Sequence, residues 1–228
     1  MNFFAHFLVD RIHQKSNYNA ALIAPDLFRH FLRENNRFNW LHLKNEPEII
    51  ASNLHVFCEG GLQHIQRDKQ FHQSPLFDNI YHKHRIDWIN LAKNHGLERW
   101  WFSLHVSVEL IIDKILINNH LNELFEFYNT LVLERDSYIN LLQYLNHEEI
   151  DTFKNRFDKF LESQYLFHYR EFTGIAYALH RIHGSLKIST PWHPNDVSVI
   201  TAALQRVETS IIENTNNIGL LATLQATS

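Results

Sequence analysis

Glycine and proline are scarce in this chain of 228 residues, with 6 and 5 occurrences. Turns depend on these two residues, and folds built from many strands need many turns. Their scarcity argues against a sheet-rich fold and favours long helices joined by short loops. Apolar residues make up 45% of the chain and charged residues 20%, which is the balance of a globular protein and excludes wholesale disorder.

Cysteine is almost absent, since Cys58 is the only one and cannot form an internal disulfide. Such a chain is typical of a reducing compartment, so we expect a cytoplasmic protein. The first residues have no basic region followed by a long apolar stretch, so we expect no secretory signal. No run reaches the roughly 18 apolar residues of a membrane span. The formal net charge of −4 argues against bulk electrostatic binding to nucleic acid. We therefore expect neither a membrane nor a nucleic acid as partner.

A hydrophobic period of about 3.6 residues runs through the chain and predicts an all-α fold, which we expect to be a single domain over residues 1–228. The first predicted helix covers residues 1–14, and Pro25-Asp26 lies before or within a second one that ends near Arg33. The following helices cover residues 47–73, 75–95, 97–118, 120–133, 136–145, 147–163 and 166–183, and a last helix runs from 195 or 196 into the 210s. The pair Gly60-Gly61 lies inside one of them and indicates close helix packing or a kink.

Histidine is abundant, with 17 occurrences, and some histidines share a helical face with carboxylates. His64, Asp68 and His72 are four residues apart, as are His105, Glu109 and Asp113. Residues at this spacing lie on one side of a helix. Two such faces brought together would supply imidazole and carboxylate ligands for a divalent metal ion. The alternative is an exposed polar stripe or a salt-bridged pair.

Glu109 and Asp113 form the more informative set, because the helix around them is strongly apolar. A buried carboxylate needs a partner.

Familiar catalytic motifs are missing: the sequence has no His-Glu-x-x-His, no Cys-x-x-Cys, no Gly-x-Ser-x-Gly and no phosphate-binding Gly-rich loop. We interpret Cys58 as a packing residue rather than a nucleophile.

Five stretches of the sequence resemble, in the same order, the motifs of one family. Residues 1–6 resemble its M-N-F-L-A-H start, and residues 22–29 resemble its N-L-L-A-D-F-V-R segment. Residues 61–68 resemble G-I-x-x-H-R-x-I-D, with a shorter approach to His64 but the same spacing from His to Asp. Residues 109–116 resemble D-x-x-x-D-H-F-L, and residues 169–181 resemble a late Y-R-x-x-x-x-I-x-x-x-L segment. The family is that of the acyl-carrier-protein phosphodiesterases.

This resemblance implies an all-helical bundle related to the HD-domain metal-dependent phosphohydrolases. It also implies the family's reaction, in which the phosphodiester between 4′-phosphopantetheine and a serine of holo acyl carrier protein is hydrolysed with Mn²⁺ or a similar ion such as Mg²⁺, Fe²⁺ or Zn²⁺. The protein would then act in fatty acid biosynthesis. The metal ligands implied at matching positions are His6, Asp26, His64, Asp68, Glu109 and Asp113.

The chain departs from the family pattern at several positions. His72 stands where the family has a second Asp, and Lys114 stands where it has a His. Ile65 and Gln66 replace arginines, and Pro25 precedes Asp26 where a small residue is usual. His72 can still ligate a metal and Lys114 can still hold a phosphate. With Asp68, these two are the residues to which we assign catalytic roles.

Acyl carrier protein is acidic, so its partner needs a basic docking face. Arginine and lysine cluster near the N-terminus, and Arg29 and Arg33 lie one helical turn apart. We predict that these two contact the partner. Two alternatives stay open: a non-catalytic helical relative that binds a partner through the same face, and a phosphohydrolase that acts on another small phosphoester or a nucleotide.

Overall fold

The computed structural model describes residues 2–32, 38–95, 99–185, 197–216 and 219–226, and the regular secondary structure in these ranges is helical, without strands. The all-α prediction is confirmed, whereas the HD-domain-like arrangement and the single domain stay predictions. The helices are α1 (Phe3–Asp10), α2 (Ser16–Ala21), α3 (Ala24–Phe31), α4 (Trp40–Lys44), α5 (Pro47–Ile50), α6 (Leu54–His72), α7 (Pro75–His95), α8 (Trp100–Asn119), α9 (Leu121–Leu133), α10 (Arg135–Tyr144), α11 (Ile150–Ser163), a 3-10 helix (Tyr165–Arg170), α12 (Phe172–Ser185), α13 (Val197–Thr215) and α14 (Leu220–Ala226).

The chain divides into two compact units. The N-terminal unit comprises Phe3–Lys69 and His120–Tyr165. The C-terminal unit comprises Asn2 and the described residues of Gln70–Asn119 and of 166–228. Helix α6 contributes its first part to the N-terminal unit, and its last residue, His72, belongs to the C-terminal unit.

The core of the N-terminal unit is aromatic. Tyr138 of α10 lies at its centre, with ring centroids 4.9 Å from Phe57, 5.8 Å from Phe28 and 4.8 Å from Phe157. All of these rings are buried. Aromatic rings bury large areas and prefer edge-on or offset contacts at such separations. This cluster therefore ties α3, α6, α10 and α11 together and sets the framework for the side chains of α3 and α6.

The C-terminal unit is a bundle in which α7, α12 and α13 pack against α8. Helix α8 is apolar on almost every side, and Leu104, Val108, Ile111 and Ile112 are fully buried. A helix that is hydrophobic all round belongs in the centre of its bundle. The few charged groups of α8 are consequently held in an apolar environment.

Helix α7 begins as the sequence predicts. The Ser74 hydroxyl accepts a hydrogen bond from the backbone N–H of Phe77 at 3.2 Å, and Pro75 occupies the first helical position. A serine cap followed by proline is a favoured helix start, because both suit the N–H groups that have no partner within the helix.

The predicted helix over 47–73 is wrong in one respect, because it is interrupted at residues 51–53. The Ser52 hydroxyl donates to the carbonyl oxygen of Ile49 at 2.9 Å and accepts from the N–H of Leu54 at 3.2 Å. A serine side chain that bonds the nearby backbone competes with the helical hydrogen bonds. Ser52 thus ends α5 and begins α6.

Two further helix predictions need correction. The predicted helix over 1–14 ends at Asp10, because the Asn19 side chain bonds both the N–H and the carbonyl of Ile12 at 2.8 Å and holds a turn there. The predicted helix over 166–183 is divided into the 3-10 helix and α12. Gly174 lies so close to the carbonyl of His168 that only glycine fits this junction. Helix α12 then continues through Gly184 to Ser185.

Several other helices and helix ends differ from the prediction. Helix α4 was not predicted, although Asn39 caps it by accepting a hydrogen bond from the N–H of His42 at 3.0 Å. Helix α14 was not predicted either, and α3 ends at Phe31 rather than near residue 33. The predicted start of the last helix at residues 195–196 lies outside the described residues.

Candidate functional site

Four predicted ligands lie together in the N-terminal unit, although they come from three helices. His6 of α1 and His64 of α6 are buried, with ring centroids 3.9 Å apart. Each imidazole faces a carboxylate: His6 Nε2 lies 4.0 Å from Asp68 Oδ1, and His64 Nε2 lies 3.7 Å from Asp26 Oδ1. The structure therefore brings together His6, Asp26, His64 and Asp68 as two histidine–carboxylate pairs in ring contact.

A hydrogen bond through Nδ1 fixes the orientation of the His64 ring. Its Nδ1 lies 2.8 Å from the carbonyl oxygen of Leu22, just after α2. A carbonyl only accepts, so Nδ1 carries a proton, and in the neutral ring Nε2 turns its lone pair toward Asp26. A backbone carbonyl that fixes the tautomer in this way is the usual support of a metal-binding histidine.

A buried ion pair holds α1 against α6. Arg67 donates to Asp10 from Nε at 3.0 Å and from a terminal nitrogen at 2.7 Å, and Gln63 Nε2 donates to the same carboxylate at 3.0 Å. The side chains of Arg67 and Asp10 are 10% and 7% exposed. Asp10 lies one turn after His6 on α1, and Arg67 lies three residues after His64 on α6. The ion pair therefore helps to set the separation of His6 and His64.

A pocket of about 490 Å³ opens beside these pairs. Asp26, His64 and Asp68 line it on the polar side, Arg29 adds a positive charge, and Trp40 with its neighbours forms an apolar wall. The volume lies within the range of about 300–1,000 Å³ that is typical of small-molecule sites. The pocket thus combines metal-ligand chemistry, a cation and an apolar surface.

The second polar cluster lies in the C-terminal unit. His72 Nε2 lies 3.3 Å and His105 Nε2 lies 3.1 Å from the same oxygen, Oε1 of Glu109. The two imidazole centroids are 4.4 Å apart. Among the described residues, this is the one group of three histidine, cysteine or acidic side chains whose ligand atoms lie within 4.8 Å of one another. The predicted apposition of a histidine with the Glu109 face is therefore observed for His72.

Glu109 is ionised in this environment. Burial by itself would raise its pKa, but nearby positive charge and the hydrogen bonds from His105 and His72 hold the pKa of this carboxyl well below its ordinary value. Because α8 is the central helix of its bundle, a carboxylate here needs such partners.

Asp113 and Lys114 follow Glu109 on α8. Asp113 is fully buried, and Lys114 is 7% exposed. The Lys114 ammonium donates to Glu208 Oε1 at 2.8 Å and lies 4.3 Å from the centroid of Phe172. Its charge is thus neutralised within the C-terminal unit. The predicted roles of Asp113 as a ligand and of Lys114 as a phosphate-binding group stay predictions.

The predicted docking residues are only partly described. Arg29 is exposed and lines the pocket, whereas Arg33 lies outside the described residues. Arg11, which also belongs to the group of arginines and lysines near the N-terminus, donates from Nη1 to Glu126 Oε2 at 2.6 Å. Cys58 is fully buried, and burial raises the pKa of its thiol to about 12, as expected of a packing residue rather than a nucleophile.

Sequence reasoning missed the residues that support the site. The Asp10–Arg67 pair has no recognisable spacing, since 57 residues separate its members. The role of Leu22 depends on a carbonyl and carries no side-chain signal. His105 was recognised by its spacing as part of a possible metal-binding face, but it is not among the ligands that the resemblance implies. Its spacing of four residues from Glu109 was the available signal.

Comparison of the chain with protein-family models, with curated proteins and with solved structures found no match. In the described part of the chain, no helix combines the length and the hydrophobicity that crossing a bilayer requires.

Proposed function

We propose that the pocket of the N-terminal unit is the site of a metal-dependent phosphodiesterase. The observation that carries this proposal is the pairing of His6 with Asp68 and of His64 with Asp26 at the edge of a pocket that also contains Arg29. Phosphodiester hydrolysis needs ligands for a metal ion and a cation for the phosphate, and this pocket offers both chemistries.

The chemistry of these side chains suits a divalent ion, although no three of their ligand atoms lie within 4.8 Å of one another, so the side chains would have to draw together around it. Two imidazole nitrogens and two carboxylates are a donor set that suits Mn²⁺, Fe²⁺ or Zn²⁺. His64, with its tautomer fixed by Leu22, and Asp26 would hold the ion, together with His6 and Asp68. A bound ion of this kind supplies an activated water and polarises a phosphoryl oxygen.

The chain's own residues have distinct tasks in this proposal. Arg29 orients the phosphate and offsets its charge from the exposed rim of the pocket. Asp68, whose side chain is 40% exposed, is the carboxylate best placed to accept a proton from a water in the pocket. Asp26, at 15% exposure, is the more enclosed of the two and would act as the metal ligand beside His64.

The substrate that we propose is holo acyl carrier protein, as the sequence resemblance implies. A pocket of about 490 Å³ with an apolar wall suits a phosphodiester that carries an extended, partly apolar arm. Arg29, with the predicted Arg33, would contact the acidic carrier protein, and a cytoplasmic location is part of the same proposal. The resemblance also includes Glu109, Asp113, Lys114 and His72 in the site, and these roles are not needed for the argument from the pocket.

The test measures hydrolysis of holo acyl carrier protein by the mass of the released 4′-phosphopantetheine, with and without Mn²⁺. A small chromogenic phosphodiester is assayed in parallel. We expect Mn²⁺-dependent release that is lost in His64→Ala and retained in His42→Ala, a matched control that replaces an exposed histidine of the same unit.

The results separate the alternatives. If the protein hydrolyses the small phosphodiester but releases no 4′-phosphopantetheine from the carrier protein, its substrate is a small phosphoester rather than holo acyl carrier protein. No hydrolysis of either compound at saturating Mn²⁺, by a folded protein, would contradict the phosphodiesterase proposal and favour a non-catalytic binding protein.

A further inference from the structure

We propose that His72, His105 and Glu109 form a binding site for a zinc-class divalent metal ion within the C-terminal unit. The three side chains come from the end of α6 and from adjacent turns of α8, and their ligand atoms lie within 4.8 Å of one another. This inference goes beyond the proposed phosphodiesterase, because the site lies outside the pocket of the N-terminal unit and assigns a ligand role to His105, which the resemblance does not include.

The distances match those of a bound ion. Zinc binds imidazole nitrogen and carboxylate oxygen at roughly 2.0–2.2 Å, so neighbouring ligand atoms of a tetrahedral site lie about 3.3 Å apart. The two Nε2 atoms lie 3.3 Å and 3.1 Å from Glu109 Oε1. An ion can therefore replace the shared hydrogen-bond protons with little movement of the side chains.

The surroundings hold the ligands in place. His105 and Glu109 are separated by one turn of α8, a rigid and central helix of its bundle. Phe77 of α7 contacts both imidazoles edge-on, with centroids 4.9 Å from His72 and 5.1 Å from His105. Rings confined in this way lose little rotamer freedom when a metal binds.

The site is open to solvent on the imidazole side and offers three protein ligands. The Glu109 side chain is 4% exposed, whereas those of His72 and His105 are 24% and 37% exposed, so an ion can enter from the imidazole side. Among the described residues, three side chains supply ligand atoms within 4.8 Å of one another, which is the number of protein ligands in catalytic rather than structural zinc sites. Two imidazoles and one carboxylate also favour zinc-class ions over Mg²⁺ and Ca²⁺, which prefer all-oxygen sites.

The first experiment measures binding of Zn²⁺ and Co²⁺ by the full chain after removal of metals with a chelator. Bound equivalents are counted by elemental analysis, and bound Co²⁺ is followed by its visible absorption. We expect His105→Gln to lose one equivalent or to bind at least about 100-fold more weakly, since removal of a group that only supports a ligand already costs 10–100-fold. The Gln side chain can still donate a hydrogen bond to Glu109, so this variant preserves the local structure.

The matched control is His82→Gln. His82 also lies four residues from a carboxylate, Asp78, at 3.2 Å, but it is 62% exposed and has no second histidine in its cluster. This variant should keep the wild-type stoichiometry and spectrum. X-ray absorption of the zinc-loaded wild type should show imidazole scattering that is reduced in His72→Gln.

Equal stoichiometry and affinity for the wild type and for His105→Gln would overturn the proposal, and the three side chains would then be a metal-free hydrogen-bonded cluster. Circular dichroism of each variant verifies the fold, and the X-ray absorption of the wild type tests the ligands without any substitution. His64→Ala separates this site from the phosphodiesterase, because it should abolish hydrolysis while the Co²⁺ spectrum that depends on His105 persists.

Discussion

The imidazole rings of His6 and His64 lie 3.9 Å apart between centroids, and each ring faces a different carboxylate. Neutral imidazole is the form that ligates metal ions. In our proposal both rings act in this form, and the Leu22 carbonyl holds one of them in place.

Arg29 should affect catalysis and leave metal binding intact. We expect Arg29→Ala to lower kcat/KM for a phosphodiester by about 100-fold, the scale of one lost group that stabilises developing charge. The affinity for Mn²⁺, measured by calorimetric titration, should be unchanged because Arg29 is not a ligand. Arg181→Ala removes an exposed arginine from the C-terminal unit and is the control. If both substitutions lower kcat/KM equally, Arg29 has no specific role in the pocket.

The same arginine should affect docking. Reversing the charges of Arg29 and Arg33 together should lower the rate of association with acyl carrier protein and flatten its salt dependence, since charge steering acts mainly on encounter. Stopped-flow association at several salt concentrations measures this. A wild-type rate for the double variant in low salt would contradict the docking face.

Asp10 and Arg67 should contribute strongly to stability. Arg67→Met leaves the Asp10 carboxylate buried without its main partner, which typically costs about 3–5 kcal/mol. The free energy of unfolding in urea measures the loss, and adding Asp10→Asn should restore part of it. The control is Arg135→Met, which breaks an equally short pair with Asp158 whose side chains are 33% and 41% exposed. We expect its cost to stay near or below about 1 kcal/mol, and a similar loss in both variants would contradict the importance of burial.

His84 should make stability depend on pH. Burial lowers the pKa of His84, the charges of Lys83 and Arg206 act in the same direction, and Asp87 opposes them. The unfolded chain therefore binds the proton more readily, so stability is fully present above the ordinary histidine value of about 6.5 and falls as the pH drops below it.

Urea unfolding between pH 7.5 and pH 5 measures this dependence. The slope of unfolding free energy against pH should be smaller in His84→Gln, whose amide can still bond Ser210, the partner at 2.8 Å in the wild type. His82→Gln, on the exposed side of the same helix, is the control. An unchanged slope in His84→Gln would show that other groups cause the dependence.

Gly61 should tolerate no side chain. A Cβ at this position would overlap the Trp40 indole, with Cδ2 only 2.7 Å away. We expect Gly61→Ala to destabilise the protein by about 1–3 kcal/mol, the usual cost of overpacking. Gln66→Ala, at an exposed position of the same helix, provides the baseline. A wild-type melting temperature for Gly61→Ala would mean that Trp40 can move aside freely.

The sequence predicted most helices because apolar periodicity and caps act locally. Ser74 and Pro75 define the start of α7 without help from the rest of the fold. Ser52 illustrates the limit: its hydroxyl divides α5 from α6, yet a serine within a helical pattern is usually tolerated. Its effect depends on the hydroxyl bonding Ile49 and Leu54 rather than water.

The candidate sites show the same limit. Spacing identified His105 with Glu109 because both lie on one helix. His6 and Asp26 lie on other helices than His64, so no periodicity could join them, and only the resemblance to a family pointed to them. The Asp10–Arg67 pair was missed altogether, since tertiary structure alone brings its members together.

Trp40 gives the pocket an optical signal of its own. It is the one tryptophan in the sequence of the N-terminal unit, and its indole rests on Gly61 while it lines the pocket beside His64 and Asp68. Any ligand that enters must change the polarity around this chromophore. The difference in emission between the wild type and Trp40→Phe therefore isolates one local reporter, and its quenching by paramagnetic Mn²⁺ would register occupancy without a label or a substrate.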